Sequence, residues 1–567
     1  MQKPVVEFFQ VGPSSLIKHF CDDIDLVNRI NQAVAWDPAQ WKVSPGNHVL
    51  ALVINTLCGR LPLSRVCEFY KSQDTEVLFG QGVSAQDFND DALGRTLDRV
   101  FEAGPRDLLT SITLESLMTE NEPLVFAHGD TTSKSFYGAY DDPPQEGVIR
   151  IERGFNKDYQ PDVKQIVMGI VAVNQGTPLF ANVCNGNQDD PTWNKDMIDT
   201  IAKELTQEQI KKLVYVADSK FFSQDNVRKA QGHHLKFISL VSEQHKLRSE
   251  VLTHVLEHPN LIDIGPLSEQ KGASEYAIQE VSRSFHGVPL RVVVVYSTHL
   301  FQQKQATFRR HLDKEKEQLD KEIQALSKQT FSCETDAHLA WDTWRRKQRK
   351  TLFPLDYQVC ARTQPVKRTG RGRPKKNEEQ KTETVYTLSI HLHAVPEEVL
   401  AQCERELGYF VLATDVMDRE QLPTVEILRE YKQQSTVELR FKFLKDPTFV
   451  DALFLKTPER IEALGYLLML CLFIYMTLER RLRLAVKQQQ VRLQPVRGNY
   501  TTKPTARQIL ILLATVTVMK WYDHDDNQWY REVRYEDEVK KVFDLLQFDP
   551  GAYTMVRERS VLTQQSP

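Results

Sequence analysis

QIVMGIVAVNQGTPLFANVC, residues Gln165–Cys184, decides the fold. Gln165–Val173 and Thr177–Cys184 are short apolar runs parted by the turn signal Asn174-Gln175-Gly176, so they read as consecutive strands. Upstream, Leu124–Ala127 is another short apolar run, ending in His128-Gly129-Asp130. Downstream, Asp190–Thr206 reads as a helix, and Leu213–Ala217 as a fourth strand running directly into Asp218-Ser219-Lys220. Phe222–Lys229 reads as a short helix and Leu235–Val241 as a fifth strand. The order β-β-β-α-β-α-β predicts a layered α/β domain, with three strands in a meander and two alternating with helices. Two strands are expected to end in aspartate, Asp130 and Asp218. Carboxylates at strand ends are held rigidly and can point into one crevice, as a metal site requires. An aspartate after a strand is also an ordinary turn or helix-cap residue.

The chain has 567 residues, enough for several domains. A net charge of −4 and a pI near 6.5 place any basic surface in local patches. Eight cysteines are scattered without a CxxC pair, which argues against a zinc ribbon or disulfide scaffold and fits a reducing cytosol. The N-terminus MQKPVVEFFQVGP has no long apolar run, so no signal peptide is expected. Ala463–Leu478 (ALGYLLMLCLFIYMTL) is short of the ~20 residues a membrane span needs and reads as a buried core helix.

Residues 1–118 read as a helical domain, with Asn47–Gly59 a core helix and Asp90–Phe101 carrying Arg95 and Arg99, a candidate DNA-binding head. Residues 119–245 and 401–480 are expected to be the two parts of the α/β core, with 246–400 an insertion. Within the insertion, Gln302–Ser327 is a charged helix and Val385–His393 alternates like an exposed strand. Arg362–Lys376 (RTQPVKRTGRGRPKK) has seven basic residues and no acidic one. Its centre, Arg371-Gly372-Arg373-Pro374 with Lys375, resembles an AT-hook, a segment that lies in the A·T minor groove. A basic linker touching phosphates without preference is the other reading. Tyr409–Thr414 is a further strand. Residues 481–567 form an accessory region, with helices expected over Thr505–Met519 and Asp537–Leu546. Arg480–Arg507 carries eight basic residues and no acidic one, which suits DNA binding or oligomerisation.

Tyr431–Lys445 (YKQQSTVELRFKFLK) puts Tyr431, Gln434, Glu438 and Lys445 within an arc of roughly 60° on one helix face. Val437, Phe441 and Leu444 lie beside that arc, so the helix can pack and keep a polar edge. Asp130, Asp218 and Glu438 then make three carboxylates. Nucleotidyl transfer uses such a set to hold two divalent cations about 3.5–4 Å apart. Hard oxygen ligands select Mg²⁺ or Mn²⁺.

These features resemble the DDE transposases of bacterial insertion sequences, in the group with a Y-x2-R-x3-E-x6-K signature and an RNase-H-like core. The signature here reads Tyr431, Gln434, Glu438, Lys445, with glutamine in the arginine position. The likeness extends to GFNKDYQPDVKQIVMG (Gly154–Gly169), to YVADSKFF around Asp218, and to the stretch after Lys445, over roughly residues 10–480. The resemblance implies a mixed five-stranded sheet with helices, a helical N-terminal domain, a β-containing insertion and a helical C-terminal region. It implies Asp130, Asp218 and Glu438 as catalytic ligands of two Mg²⁺ ions, with Mn²⁺ tolerated, and Tyr431 and Lys445 as phosphate contacts. Gln434 offers only neutral hydrogen bonds there. The implied partner is double-stranded DNA, as terminal inverted repeats and target, bound by a homodimer that pairs the element's ends. The implied setting is cytoplasmic, at the nucleoid when on DNA, with no membrane. About 220 residues separate Asp218 from Glu438, which accommodates the insertion. Similar enzymes stack a flipped base on a tryptophan of that insertion; Trp341 or Trp344 could do this, or both could be core residues. Two other readings stand beside this one: an RNase-H-type nuclease without strand transfer, and a DNA-binding protein descended from a transposase and no longer catalytic.

Overall fold

The computed structural model describes residues 5–120, 123–141, 143, 145–157, 160–173, 176–366, 382–445, 455, 457–525 and 527–556. In the helix Thr424–Lys445, the side chains at 435–440, 442 and 445 also lie outside the described set. Contacts divide the chain into two units, Met1–Ser242 with Ser282–Arg291 and Ala413–Pro567, and Glu243–Val281 with Val292–Leu412.

The first unit is built on five strands, β1 (Phe126–Phe136), β2 (Lys164–Val173), β3 (Thr177–Cys184), β4 (Val214–Ala217) and β5 (Lys236–Val241). They lie side by side in the order β3-β2-β1-β4-β5. The first three form an antiparallel meander, whereas β1–β4 and β4–β5 pair in parallel. Parallel neighbours need a crossover. Helix α1 (Asp190–Glu204) and the short helix Gln207–Lys212 precede β4, and Gln224–Gly232 precedes β5. This is the expected RNase-H-like mixed α/β arrangement, although the sheet runs to nine strands among the described residues where five are expected.

β1 departs from expectation in length. It does not stop at Asp130 but continues to Phe136, paired with β2 from His128↔Ala172 to Phe136↔Lys164. The run Thr131-Thr132-Ser133 is polar yet buried. Its hydroxyls are answered by the loop before β2: the Lys157 amide donates to Ser133 Oγ at 2.9 Å, and Asn156 Nδ2 to Ser135 Oγ at 3.0 Å. Polar side chains with tertiary partners need no apolar alternation to sit in a sheet.

Helix α2 (Thr424–Lys445) packs across β1, β4 and β5. Its entry is fixed by Arg291, which is buried and donates to the carbonyls of Val416 at 3.1 Å and Leu422 at 2.8 Å and to Thr424 Oγ1 at 3.2 Å. Before it, Thr414 Oγ1 donates to the Phe237 carbonyl, and the Phe237 amide donates to Asp415, tying this return of the chain to β5.

Helix α3 (Pro458–Gln489) contains the apolar run Ala463–Leu478 and is the spine of this unit. It packs against β3 on one side and the N-terminal helix Asp90–Glu102 on another. Tyr466 Oη accepts the Val183 amide, and Arg460 makes two 2.7 Å bonds to Asp98. Among the described residues it is the one single helix long and apolar enough to cross a membrane, and its most apolar window is 89% buried inside the protein. A helix apolar all round is what a position enclosed on several sides requires.

Two segments far apart in the chain pair with each other. Val6–Phe9 pairs antiparallel with Thr517–Asp523, which pairs with Gln528–Arg534. The helix expected over Thr505–Met519 covers only Ala506–Leu513, and Thr517–Met519 belongs to this sheet. Three of the basic residues after Glu479 are engaged internally. Arg480 and Arg481 both pair with Glu120, Arg481 also with Asp23 at 2.5 Å, and Arg483 with Glu479 at 2.9 Å.

In the second unit, a long helix Thr298–Ser327, a helix Glu334–Lys347 and an antiparallel hairpin Leu355–Pro365/Thr382–Leu392 share one core. That core is Ile323, Leu326, Ala337, Trp341, Leu388 and Ile390. Residues 367–381, which include Arg371, Arg373 and Lys375, fall between the hairpin strands in sequence and lie outside the described residues.

Candidate active site

The site begins with register. The parallel ladder between β1 and β4 runs from Phe126↔Val214 to Gly129↔Ala217, so Asp130 and Asp218 are the next residues on neighbouring strands. Parallel strands end in phase at one edge of the sheet, and that edge is where α/β folds form their crevices. The close fit of the two strands depends on Gly129: a Cβ there would lie 2.0 Å from Tyr215 Oη. Tyr215 is wholly buried and donates to Asn194 Oδ1 at 2.9 Å, which ties β4 to helix α1.

Each carboxylate is anchored by its own backbone. Asp130 Oδ1 accepts the Thr131 amide at 2.7 Å, and Asp218 Oδ1 accepts the Lys220 amide at 2.9 Å. Ser239 on β5 donates to the Asp218 carbonyl at 2.9 Å.

Two further groups complete the cluster. Lys157 Nζ donates to Thr131 O at 2.8 Å and to Thr131 Oγ1 at 2.7 Å. It stands 3.6 Å from Asp130 Oδ1 and 3.5 Å from Asp190 Oδ1. Asp190, the first residue of α1, accepts from Thr131 Oγ1 at 2.5 Å. The positive end of the α1 dipole favours a carboxylate there.

Burial pushes the Asp130 carboxyl up to about 6, against the opposing pull of the Lys157 ammonium and the Thr131 amide; Asp218 and Asp190 add to the rise. Asp218 is raised too, first by burial and then by Asp190. Such carboxyls sit in a site short of positive charge. All donors are hard oxygens, which suit Mg²⁺ or Mn²⁺, and the Lys157 ammonium already lies where cationic charge is wanted. Among the described residues, no three acidic, histidine or cysteine side chains stand close enough to hold an ion unaided. The expected third ligand, Glu438, is on α2 at a position whose side chain lies outside the described set.

α2 is pinned to the same strand that carries Asp130. His128 Nε2 lies 3.4 Å from Glu430 Oε2, and both residues are buried. His128 and Asp130 share one face of β1, since side chains alternate along a strand.

The other expected site residues divide. Tyr431 is half-buried on α2, and Gln434 is buried there. Lys445 ends the helix, its side chain outside the described set. Trp341 is buried in the second unit's core, stacked on Tyr357 at 4.3 Å, and Trp344 Nε1 donates to Glu322 at 2.9 Å. Lys157, Asp190, His128 and Glu430 were not singled out from sequence. Lys157 lies inside the Gly154–Gly169 segment that carried the resemblance, which was the available signal, whereas Asp190 reads simply as a helix start.

Residues 162–474 match the family described as Transposase DDE domain, and residues 8–114 match a domain of unknown function (DUF4277). Asp218 and Glu438 fall inside the first match, and Asp130 lies upstream of it. No curated protein matches the chain.

Proposed function

We propose that this chain, which belongs to the DDE transposases, cuts the terminal inverted repeats of its own insertion sequence and joins the freed ends to target DNA by a cut-and-paste route. The family acts on DNA and generally uses divalent metal ions. The observation that carries the reading is the pair Asp130 and Asp218, side by side where the β1–β4 ladder ends.

Asp130, Asp218 and Glu438 would hold two Mg²⁺ ions. When bound, such ions activate the attacking oxygen and stabilise the leaving one. The protein's own contribution is positioning and charge. The amides of Thr131 and Lys220 orient the two strand carboxylates. Lys157 supplies a positive charge at the edge where a phosphate would approach. The pair His128–Glu430 and the Arg291 contacts hold α2 against the sheet, which would fix the position of Glu438. Tyr431 and Lys445 would contact DNA near the cut, whereas Gln434 is buried and offers DNA little surface, and Arg371, Arg373 and Lys375 would contact it elsewhere. The helical residues 1–118 would recognise the repeats, and two protomers would pair the ends.

The test is cleavage by the purified full chain with Mg²⁺, on duplexes drawn from DNA flanking its reading frame, comparing wild type with Asp130→Asn. Nicking at the element's ends by wild type alone is expected. Equal cutting by the variant overturns the metal assignment, and a wild type that binds these ends without nicking them overturns the catalytic reading.

A further inference from the structure

Lys157 makes its close bonds to neutral oxygens, although two carboxylates stand beside it. An ammonium has three N–H donors. Two of them go to the Thr131 carbonyl at 2.8 Å and the Thr131 hydroxyl at 2.7 Å. That leaves one for Asp130 Oδ1 at 3.6 Å and Asp190 Oδ1 at 3.5 Å. A settled ammonium–carboxylate bond is about 2.7–2.9 Å long, so Nζ is committed to neither. The charge is shared almost evenly between a carboxylate expected to bind metal and one that is not.

The surroundings leave Asp190 free for such a part. Capping of α1 is not its task, because the preceding residue, Asp189, accepts the Thr192 amide at 2.8 Å. Asp190 instead accepts from Thr131 Oγ1 at 2.5 Å, the same hydroxyl that accepts from Lys157. The root of Lys157 is fixed, since its amide donates to Ser133 Oγ at 2.9 Å. Beyond that anchor runs a flexible four-carbon stem carrying a compact charge. A fixed root, a movable charge and two nearly equidistant anions are what a displaceable counter-ion needs.

Charge decides what this does to metal binding. A divalent ion on Asp130 would stand within a few ångströms of the ammonium, among side chains that are mostly buried, where water screens poorly. Ion and ammonium therefore compete for one carboxylate, and entry of the ion is easier when the ammonium has another anion to move onto.

We propose that Lys157 is a built-in competitor for the metal place at Asp130, and that Asp190 is a positioning residue, the seat onto which the ammonium withdraws when an ion binds. The site then stays charge-balanced without metal and keeps Lys157 beside the ion when loaded. This rests on the reading that Asp130 binds a metal ion for DNA cleavage.

The probe is Mn²⁺ alone, titrated into the full chain without DNA and followed by the spin-resonance signal of the free ion. The tightest ion bound by wild type should be lost in Asp130→Asn, which identifies the site. Lys157→Met is expected to bind that ion about tenfold more tightly than wild type, and Asp190→Asn about tenfold more weakly. A residue that only supported the loop would weaken binding on removal, so the direction of the Lys157→Met change separates competitor from prop. Combining the two variants tests the seat: if Asp190 acts through Lys157, the effect of Asp190→Asn should shrink to about twofold or less once Lys157 is gone. Equal weakening in both backgrounds overturns the seat, because Asp190 then acts on the ion directly. Unchanged or weaker binding in Lys157→Met overturns the competition, and if wild type still cuts element-end duplex with Mg²⁺, measured separately, the cleavage reading stands. Tighter binding in Lys157→Met, with a wild type that never cuts, supports the competition and overturns cleavage. A wild type that binds no ion through Asp130 overturns both.

Discussion

Replacing Asp130 with asparagine is expected to stabilise the metal-free protein at neutral pH, and the gain should shrink in acid. Asp130 is only 18% exposed at its side chain, and its carboxyl is displaced from 3.8 to about 6, chiefly by burial. The native state therefore holds this proton more tightly than the unfolded chain does. Stability falls as pH rises through the window between those two values, and above it the ionised carboxylate costs about 3 kcal/mol. Asparagine keeps an oxygen for the Thr131 amide and carries no charge to desolvate. At pH 7.5 the variant should gain up to about 3 kcal/mol, and at pH 4.5 only about 1 kcal/mol. For a chain of 567 residues the larger figure is roughly 2–3 °C in unfolding midpoint. Calorimetry in chelator at the two pH values measures the difference directly. Mg²⁺ should then raise the midpoint of wild type and leave the variant behind, because a ligand stabilises only the state that binds it. A variant no more stable than wild type at pH 7.5 in chelator, or a gain independent of pH, would refute the argument from burial. Equal stabilisation of both proteins by Mg²⁺ would remove Asp130 from the ligand set.

Three other perturbations follow from the packing. Gly129→Ala forces a Cβ into Tyr215, so the urea midpoint should drop by the equivalent of about 1–3 kcal/mol; an unchanged midpoint would show that the strands can part freely there. Arg291→Met leaves the Val416 and Leu422 carbonyls without their donor, which should cost about 3 kcal/mol and speed amide exchange over residues 416–424, read by mass spectrometry. Trp341→Ala should destabilise the second unit by about 3–5 kcal/mol, with loss of near-ultraviolet dichroism; an unchanged midpoint and spectrum would show that Trp341 is not a core anchor.

Much of this molecule is legible in local pattern. Val167–Val173 and Leu179–Val183 are buried almost without interruption because β2 lies inside the sheet and β3, at its edge, is covered by α3 and the helix Pro105–Thr119, and apolar runs parted by a turn announce that directly. The same logic reached Tyr409–Thr414, Asp537–Leu546 and the buried Ala463–Leu478. It failed where partners are distant. Thr131-Thr132-Ser133 lies beyond the strand end expected at Asp130, because the groups that satisfy the Thr131 and Ser133 hydroxyls sit on a separate segment. Thr517–Met519 looked like the end of a helix because its strand partner, Val6–Phe9, lies at the other end of the chain. Arg480 and Arg481 belong to a stretch without acidic residues, and their partners Glu120 and Asp23 lie far upstream in the chain.

The candidate site divides along the same line. Sequence alone placed Asp130 and Asp218 after apolar strand cores, set Glu438 in helical phase with Tyr431, Gln434 and Lys445, and put about 220 residues between Asp218 and Glu438. Those are periodicities, and periodicity is a local property of the backbone. Only the tertiary structure decided that the β1–β4 register sets the two aspartates side by side, that Lys157 and Asp190 join them, and that Glu430 pins α2 through His128. Register, burial and ion pairing depend on which surfaces meet. The choice of surfaces is made by the packing of the whole unit around β1 and α3, and no single stretch of the chain carries it.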